Sequence, residues 1–312
     1  MVITDELREV CAWVAGRSTM VRVVDAPVAG YALRLGELSE PNGLQRVRSD
    51  SSPAQREDEA AYWLTLDAIN FGSGWFGTLR KRQQRTGYRT IAAGVRRRFD
   101  QAGRWTPAQL IALTEAELAE WLDQDPEHDL IGLMVESLRD LGANVQRLYG
   151  CSFAAVVDAA GGSAVNLVEA LARWRCFSDI STYDGRRIQF LKRAQIAAAD
   201  LHRAGVADLS DLDQLTMFAD NLVPHVLRLD GILWFDPELV GRIARGELIE
   251  HGSPEEVEIR ACAVHAVELL VAAAGSIPGH PQAAQIDEIL WNRGQAPEYK
   301  AVPRHRCRST AY

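Results

Sequence analysis

The chain has no long hydrophobic run, no paired cysteines and no excess of positive charge, and each shortage removes a class of protein. No apolar stretch in its 312 residues approaches the roughly 20 needed to span a membrane as a helix. Its opening, Met1-Val2-Ile3-Thr4-Asp5-Glu6-Leu7, lacks the basic-then-apolar order of a secretory signal. The five cysteines (Cys11, Cys151, Cys176, Cys262 and Cys307) are scattered and never spaced as Cys-x-x-Cys. That argues against a disulfide framework or a cysteine zinc site, and for a reducing, cytoplasmic setting. A formal charge of −8 argues against a stable nucleic-acid partner. His-Glu-x-x-His, an Asp-rich calcium loop and a Gly-x-Ser-x-Gly elbow are all missing. A metal site is therefore not expected, nor a serine nucleophile, and no cofactor is called for. The turn Phe71-Gly72-Ser73-Gly74-Trp75-Phe76 is glycine-rich but lacks the Gly-x-x-x-x-Gly-Lys spacing and a preceding strand, which excludes a phosphate loop.

What is present is an ordinary globular composition, 24% charged and 47% hydrophobic, in a chain long enough to bury a large core. Helix signals dominate. Thr106-Pro107-Ala108-Gln109, Thr114-Glu115-Ala116-Glu117 and Ser253-Pro254-Glu255-Glu256 read as capping boxes. Helical spacing recurs over 5–15, 60–70, 130–148, 164–174, 190–204 and 286–291. The helix opened by Ser253 is apolar almost all round from Ala261, so it is expected at the buried centre. Strand candidates are few: residues 20–24, and a hairpin turning at Tyr183-Asp184-Gly185-Arg186. With no strand–helix alternation, the expected architecture is a single, mainly α-helical domain over residues 1–312. Residues 36–58, rich in Pro, Gly, Asn and Ser, read as a loop able to act as a lid. The basic clusters at 80–85 and 96–98 read as a solvated face.

The most informative stretch is 215–227, Leu-Thr-Met-Phe-Ala-Asp-Asn-Leu-Val-Pro-His-Val-Leu. Pro224 has no N–H and belongs in the first turn of a helix, which places the helix start near Val223 and Asp220 just ahead of it. Free N–H groups and the positive end of the helix dipole favour an ionised carboxylate there. Such an anion suits stabilising a developing cation, with Phe218 offering a flat apolar face; a plain cap and a packing residue are the bland alternative. Asp287, Glu288, Trp291 and Asn292 stand at i, i+1, i+4 and i+5, on one side of a helix, and could hold a polar heterocycle or a cation. A solvated face is the alternative there too, and Lys192 reads by default as a surface lysine.

These residues belong to an ordered set of blocks. Asp67-Ala68-Ile69-Asn70-Phe71, Gly87-Tyr88, the run from Tyr183 to Ile196, Leu215–Asp220 with Leu222-Val223-Pro224, and Gly246-Glu247-Leu248 come first. Glu256–Arg260, Leu290-Trp291 and His305-Arg306-Cys307-Arg308 complete it. Together they resemble the queuosine salvage proteins, queuosine 5′-phosphate N-glycosylases that release queuine. The resemblance covers roughly residues 60–312. It implies a helical fold related to the helix–hairpin–helix DNA glycosylases, a mononucleotide substrate and no cofactor. It also implies that Asp220 is the catalytic carboxylate, that Phe218 lines the base pocket, and that Asp287, Glu288 and Asn292 lie on the substrate-binding helix. The family pattern carries tyrosine and aspartate where this chain has Glu288 and Asn292. Asp287 is the expected partner of the cationic amine on queuine, and Lys192 that of the 5′-phosphate, with His305, Arg306 and Arg308 in reserve. The competing reading, from the implied fold relatives, is a tRNA- or DNA-binding module without hydrolase activity.

Overall fold

A computed structural model describes residues 2–38, 52–81, 86–275 and 279–312. Among them the architecture is mainly α-helical, with two small antiparallel sheets of two strands each. The first part runs α1 (Ile3–Ala15), β1 (Val21–Val23), α2 (Val28–Leu38), α3 (Pro53–Ala68) and α4 (Gly87–Ala102). Next come α5 (Pro107–Ala112), α6 (Glu115–Leu122), α7 (Asp129–Tyr149), α8 (Phe153–Asp158) and α9 (Ala164–Ala172). A hairpin of β2 (Ile180–Tyr183) and β3 (Arg186–Gln189) leads into α10 (Lys192–Arg203). The remainder is α11 (Val223–Leu229), β4 (Leu233–Phe235), α12 (Pro237–Ala244), α13 (Pro254–Ala274), α14 (Ala283–Arg293) and α15 (Pro297–Lys300).

Local chemistry accounts for many of these boundaries. At α5 and α6 the Thr106 and Thr114 hydroxyls accept from the amides of Gln109 and Glu117, at 3.2 and 3.3 Å. The side chains of those two residues return the bond to the threonine amides at 2.8 and 2.9 Å. At α13 only half of the expected box forms: Ser253 accepts from Glu256, whose own carboxylate turns instead to the Gly252 amide at 3.0 Å. Asp184 and Gly185 both have positive φ, 44° and 76°, the conformation that a tight two-residue hairpin requires.

Two expectations need correction. Residues 36–58 are not one loop: α2 continues to Leu38, and α3 begins at Pro53 with a reciprocal box between Ser52 and Gln55. Proline at the first helical position promotes that start. Residues 39–51 lie outside the described residues. Nor is the cluster at 96–98 a solvated face throughout: Arg96 is exposed, but Arg97 is half-buried and Arg98 buried. Arg96 stacks 3.6 Å from the centre of the Tyr62 ring, and Arg97 donates to the carbonyls of Glu120 and Trp121. Arg98, 6% exposed, lies over Trp105. Arg96 thus meets α3, Arg97 fastens α4 to α6, and Arg98 ties it to the chain that follows α4.

As its composition suggested, α13 is the buried centre, packed against α1, α2, α11, α14 and β1. It carries charge as well as apolar bulk. Glu258 accepts from the amides of Thr19, Met20 and Val21 at 3.1, 2.7 and 3.1 Å, and from the Tyr183 hydroxyl at 2.8 Å. Four donors on one carboxylate replace its lost hydration and tie both small sheets to the central helix. The glycine-rich turn serves the C-terminal tail. Gly72 donates to the Tyr312 carbonyl at 3.1 Å, and a Cβ on Gly74 would sit 2.4 Å from the Cys307 carbonyl oxygen.

Candidate active site

Asp220 is half-buried immediately before α11, and its Oδ1 accepts the amides of Leu222 and Val223 at 2.8 and 3.0 Å. Both bonds land on one oxygen, leaving Oδ2 available. The segment leading to Asp220 has no regular structure of its own and is held by side chains from other elements. Gln195 of α10 accepts from the Thr216 amide at 2.8 Å and donates to the Thr216 hydroxyl at 3.0 Å. Asp287 of α14 accepts the Phe218 amide at 2.9 Å, and Arg260 of α13 donates to the Ala219 carbonyl, also at 2.9 Å. Asn221 donates to the His305 carbonyl at 3.2 Å. With so many fixed points, little reorganisation is left for a reaction to supply.

Arg260 is itself pinned. It pairs with Asp179 at 2.7 Å and lies between Phe190 and Tyr312, 3.9 and 4.3 Å from the ring centres. Burial works against its charge, but Asp179 and Glu256 outweigh that and hold the guanidinium above its ordinary value. Asp179 Oδ2 also accepts the Lys192 amide at 3.1 Å. One buried carboxylate thus sets both the start of α10 and, through Arg260, the approach to Asp220.

The structure places the other expected residues unevenly. Lys192 is not a surface lysine: it is 5% exposed and donates to the Asn70 carbonyl at 2.8 Å. Burial lowers its pKa to about 8, and the nearby Asp220 charge is the strongest influence opposing that fall. Phe218 is buried beside Asp287. Asp287 is buried as well, so this side of α14 is not a solvated face; burial first, and the Asp220 charge second, push its carboxyl well above the usual range. Its Oδ1 accepts the Phe218 amide. Glu288 is half-buried, bonded at 3.0 Å to Arg203, which also holds Asp200 at 2.7 Å. Trp291 meets Tyr88 edge to face at 6.2 Å. Asn292 is exposed and has no side-chain partner among the described residues.

In the reserve set for the phosphate, His305 is buried, its pKa driven down to about 3 by desolvation, and Arg306 donates to the Gly246 carbonyl at 2.6 Å. Arg308 lies over Trp75, on the side of Asp129. Sequence reasoning passed over Arg304, which is half-buried, feels the Asp220 charge and has no hydrogen-bonded partner among the described residues. It also assigned no task to Asp67, Asn70, Tyr88, Asp200 or Arg203. The blocks at 67–71 and 87–88 were the available signal for the first three.

Two other features lie apart. His251, Glu256 and Cys307 offer donor atoms within 4.8 Å of one another, a convergence hidden by their sequence spacing. Glu256 there already stands 3.5 Å from the Arg260 guanidinium, which disfavours a further cation. A cavity of about 650 Å³ is lined by Glu6, Arg173, Trp174, Arg175 and Arg187 among others, and contains none of the residues gathered around Asp220.

A carboxylate fixed at a helix start thus stands near a buried lysine and a second, buried carboxyl in a mainly helical fold. The chain belongs to the queuosine salvage protein family, whose model matches residues 51–312. It is 37% identical over 268 residues to a protein of Sphaerobacter thermophilus, with 82% of each chain covered. A mouse protein is 31% identical over 288 residues, covering 84% of each chain. One from Bos taurus is 29% identical over 336 aligned positions, covering 98% of each. All three are named queuosine 5′-phosphate N-glycosylase/hydrolase.

Proposed function

We propose that this protein hydrolyses the N-glycosidic bond of queuosine 5′-monophosphate, releasing queuine and ribose 5-phosphate for reuse in tRNA modification. Family membership supports the substrate class, and the geometry of Asp220 carries the mechanism. Breaking the bond leaves positive charge on the ribose ring in an oxocarbenium-like state. Asp220 accepts two amide donors on Oδ1, and its Oδ2 is the oxygen that meets that charge. It stabilises the cation or adds to it transiently; either way water finally bonds to the anomeric carbon and its proton leaves to solvent or base.

Queuine is a 7-deazaguanine and lacks the ring nitrogen that purine hydrolases protonate. The departing base must therefore take its proton elsewhere. Asp287, whose burial and neighbouring anion keep it protonated, is the donor beside the base, and Phe218 stacks on the ring. Lys192 and Arg304, both beside Asp220, take the 5′-phosphate. Glu288 and Asn292 stand at the outer side of the base pocket. The chain acts as one catalytic domain in the cytoplasm. The free cysteines suit that compartment, and among the described residues no helix is long and apolar enough to cross a membrane.

Mass spectrometry of products from queuosine 5′-phosphate, with the nucleoside and GMP alongside, tests this directly. Queuine and ribose 5-phosphate are expected from the first substrate and little or nothing from GMP. Recovery of intact queuosine 5′-phosphate after prolonged incubation would refute the assignment.

A further inference from the structure

Two stretches that the sequence marks have no share in the reaction just described: the glycine-rich turn at 71–76 and the block at 305–308. The fold lays one on the other. Residues 305–312 form no helix, yet His305, Cys307, Ser309, Ala311 and Tyr312 are all buried. Their backbone is held by several elements. The Arg306 carbonyl accepts the Ile249 amide at 2.9 Å, and the Arg306 side chain donates to the Gly246 carbonyl at 2.6 Å. Arg193 Nε donates to the Ala311 carbonyl at 3.3 Å, and the Gly72 amide to the Tyr312 carbonyl at 3.1 Å. Gly74 lies flat against the same backbone: a Cβ there would stand 2.4 and 2.6 Å from the carbonyl oxygen and carbon of Cys307, and 2.8 Å from the Arg308 nitrogen. Its φ lies outside the left-handed region, so space and not conformation demands glycine here.

From this seat the segment reaches the residues on either side of Asp220. The His305 carbonyl accepts the Asn221 side-chain amide at 3.2 Å. The Tyr312 ring lies 4.3 Å from the guanidinium of Arg260, which in turn donates to the Ala219 carbonyl at 2.9 Å. With Phe190 on another ring contact at 3.9 Å, that guanidinium has little freedom to shift. Residues 215–222 are neither helix nor strand, so no ladder of backbone bonds sets where Asp220 stands. Its place is inherited from such contacts. A charge that stabilises a developing cation works by being in position beforehand.

We propose that residues 305–312, seated on the turn at Gly72–Gly74, are a positioning strap for Asp220, with Gly74 and Tyr312 as its positioning residues. The proposal rests on the reading of the protein as a queuosine 5′-phosphate hydrolase, and it gives neither residue a contact with substrate. In Gly74→Ala the added methyl must drive the Cys307–Arg308 backbone back by about 1 Å to regain ordinary contact, and His305 carries that shift to Asn221. In Tyr312→Leu the Arg260 guanidinium loses one of its rings, and the hold on Ala219 loosens. A misplacement on the order of 1 Å, made away from the chemistry, can cost about a hundredfold in rate.

Single-turnover hydrolysis of queuosine 5′-phosphate, isothermal titration with queuine and thermal melts test this on wild type, Gly74→Ala, Tyr312→Leu and Tyr312→Phe. The first two substitutions are measured again in an Asp220→Asn background. Folded Gly74→Ala and Tyr312→Leu should each lose at least about tenfold in rate while holding queuine within about threefold of wild type. Tyr312→Phe keeps a ring over Arg260 and should recover most of the rate that leucine loses. With Asp220→Asn already present, neither substitution should slow the reaction further, because both act through the placement of that carboxylate. A stability defect alone moves the melt and does not produce this non-additivity. If Gly74→Ala does not fold, the two Tyr312 variants decide. Rates within about threefold of wild type in the folded variants, or the full loss repeated on top of Asp220→Asn, would overturn the strap. A wild type that leaves queuosine 5′-phosphate intact would overturn the functional reading, and the strap with it.

Discussion

Replacing Asp220 by asparagine separates the two tasks that its position combines. Asparagine caps a helix about as well as aspartate, and its carbonyl oxygen can accept the amides of Leu222 and Val223 now bonded at 2.8 and 3.0 Å. Folding stability should therefore change by less than about 0.5 kcal/mol. The charge is lost completely. A carboxylate about 4 Å from a unit positive charge, at an effective dielectric near 20, contributes about 4 kcal/mol. At about 1.4 kcal/mol per decade that is roughly a thousandfold in rate. The prediction is a fall in kcat of about 10³ or more, with KM within about tenfold and an unchanged melting temperature. Asp220→Ala should show the same kinetic loss plus about 1 kcal/mol of destabilisation from the lost cap. Single-turnover release of queuine and thermal melts of both variants provide the readout. A kcat for Asp220→Asn within tenfold of wild type would mean that the carboxylate is only a cap, and the mechanism would be wrong.

Arg260→Met should lower stability by about 3–5 kcal/mol, because it strands Asp179 in the interior without a partner and frees the Ala219 carbonyl. A denaturant melt showing a loss below about 1 kcal/mol would contradict the anchoring role. Lys192 should leave a signature in stability against pH. Its proton is lost near pH 8 in the folded chain but near 10.5 in the unfolded one. Between those values the unfolded state binds more protons, so this lysine makes stability rise with pH, and below about pH 8 its contribution is constant. Lys192→Met should remove that rise, measured as the difference between wild-type and variant urea melts at about pH 8 and pH 10; a difference of the opposite sign would show that the ammonium is favoured by the fold.

The turn at Asp220 was legible because its signals are local. Pro224 restricts itself and Val223, which fixes where α11 begins and puts Asp220 at its mouth. The hairpin at Asp184-Gly185 and the apolar α13 are equally local. Buried charge was not legible. Lys192, Arg193, Arg260 and Asp67 look like any polar position in a helical pattern, because nothing nearby in sequence marks a charge as paired. The partner that admits Arg260 to the interior, Asp179, stands 81 residues away. The start of α3 is a different case: Ser52-Pro53-Ala54-Gln55 carries the same signature as the start of α5, but the Gly, Pro and Ser content of residues 36–58 obscures it. At Asp287 the family pattern pointed to the helix, not to a backbone partner. That its carboxyl reaches the Phe218 amide is a fact of tertiary packing.

The dispersal of these groups along the chain also bears on synthesis in the cell. Asn70, Lys192, Asp220 and Asp287 are all in place only once α3 has packed on α10, and α11 and α14 on α13. A ribosome must deliver nearly the entire polypeptide before the last of these side chains finds its neighbours. The nascent chain is therefore inert towards nucleotides until translation is almost finished.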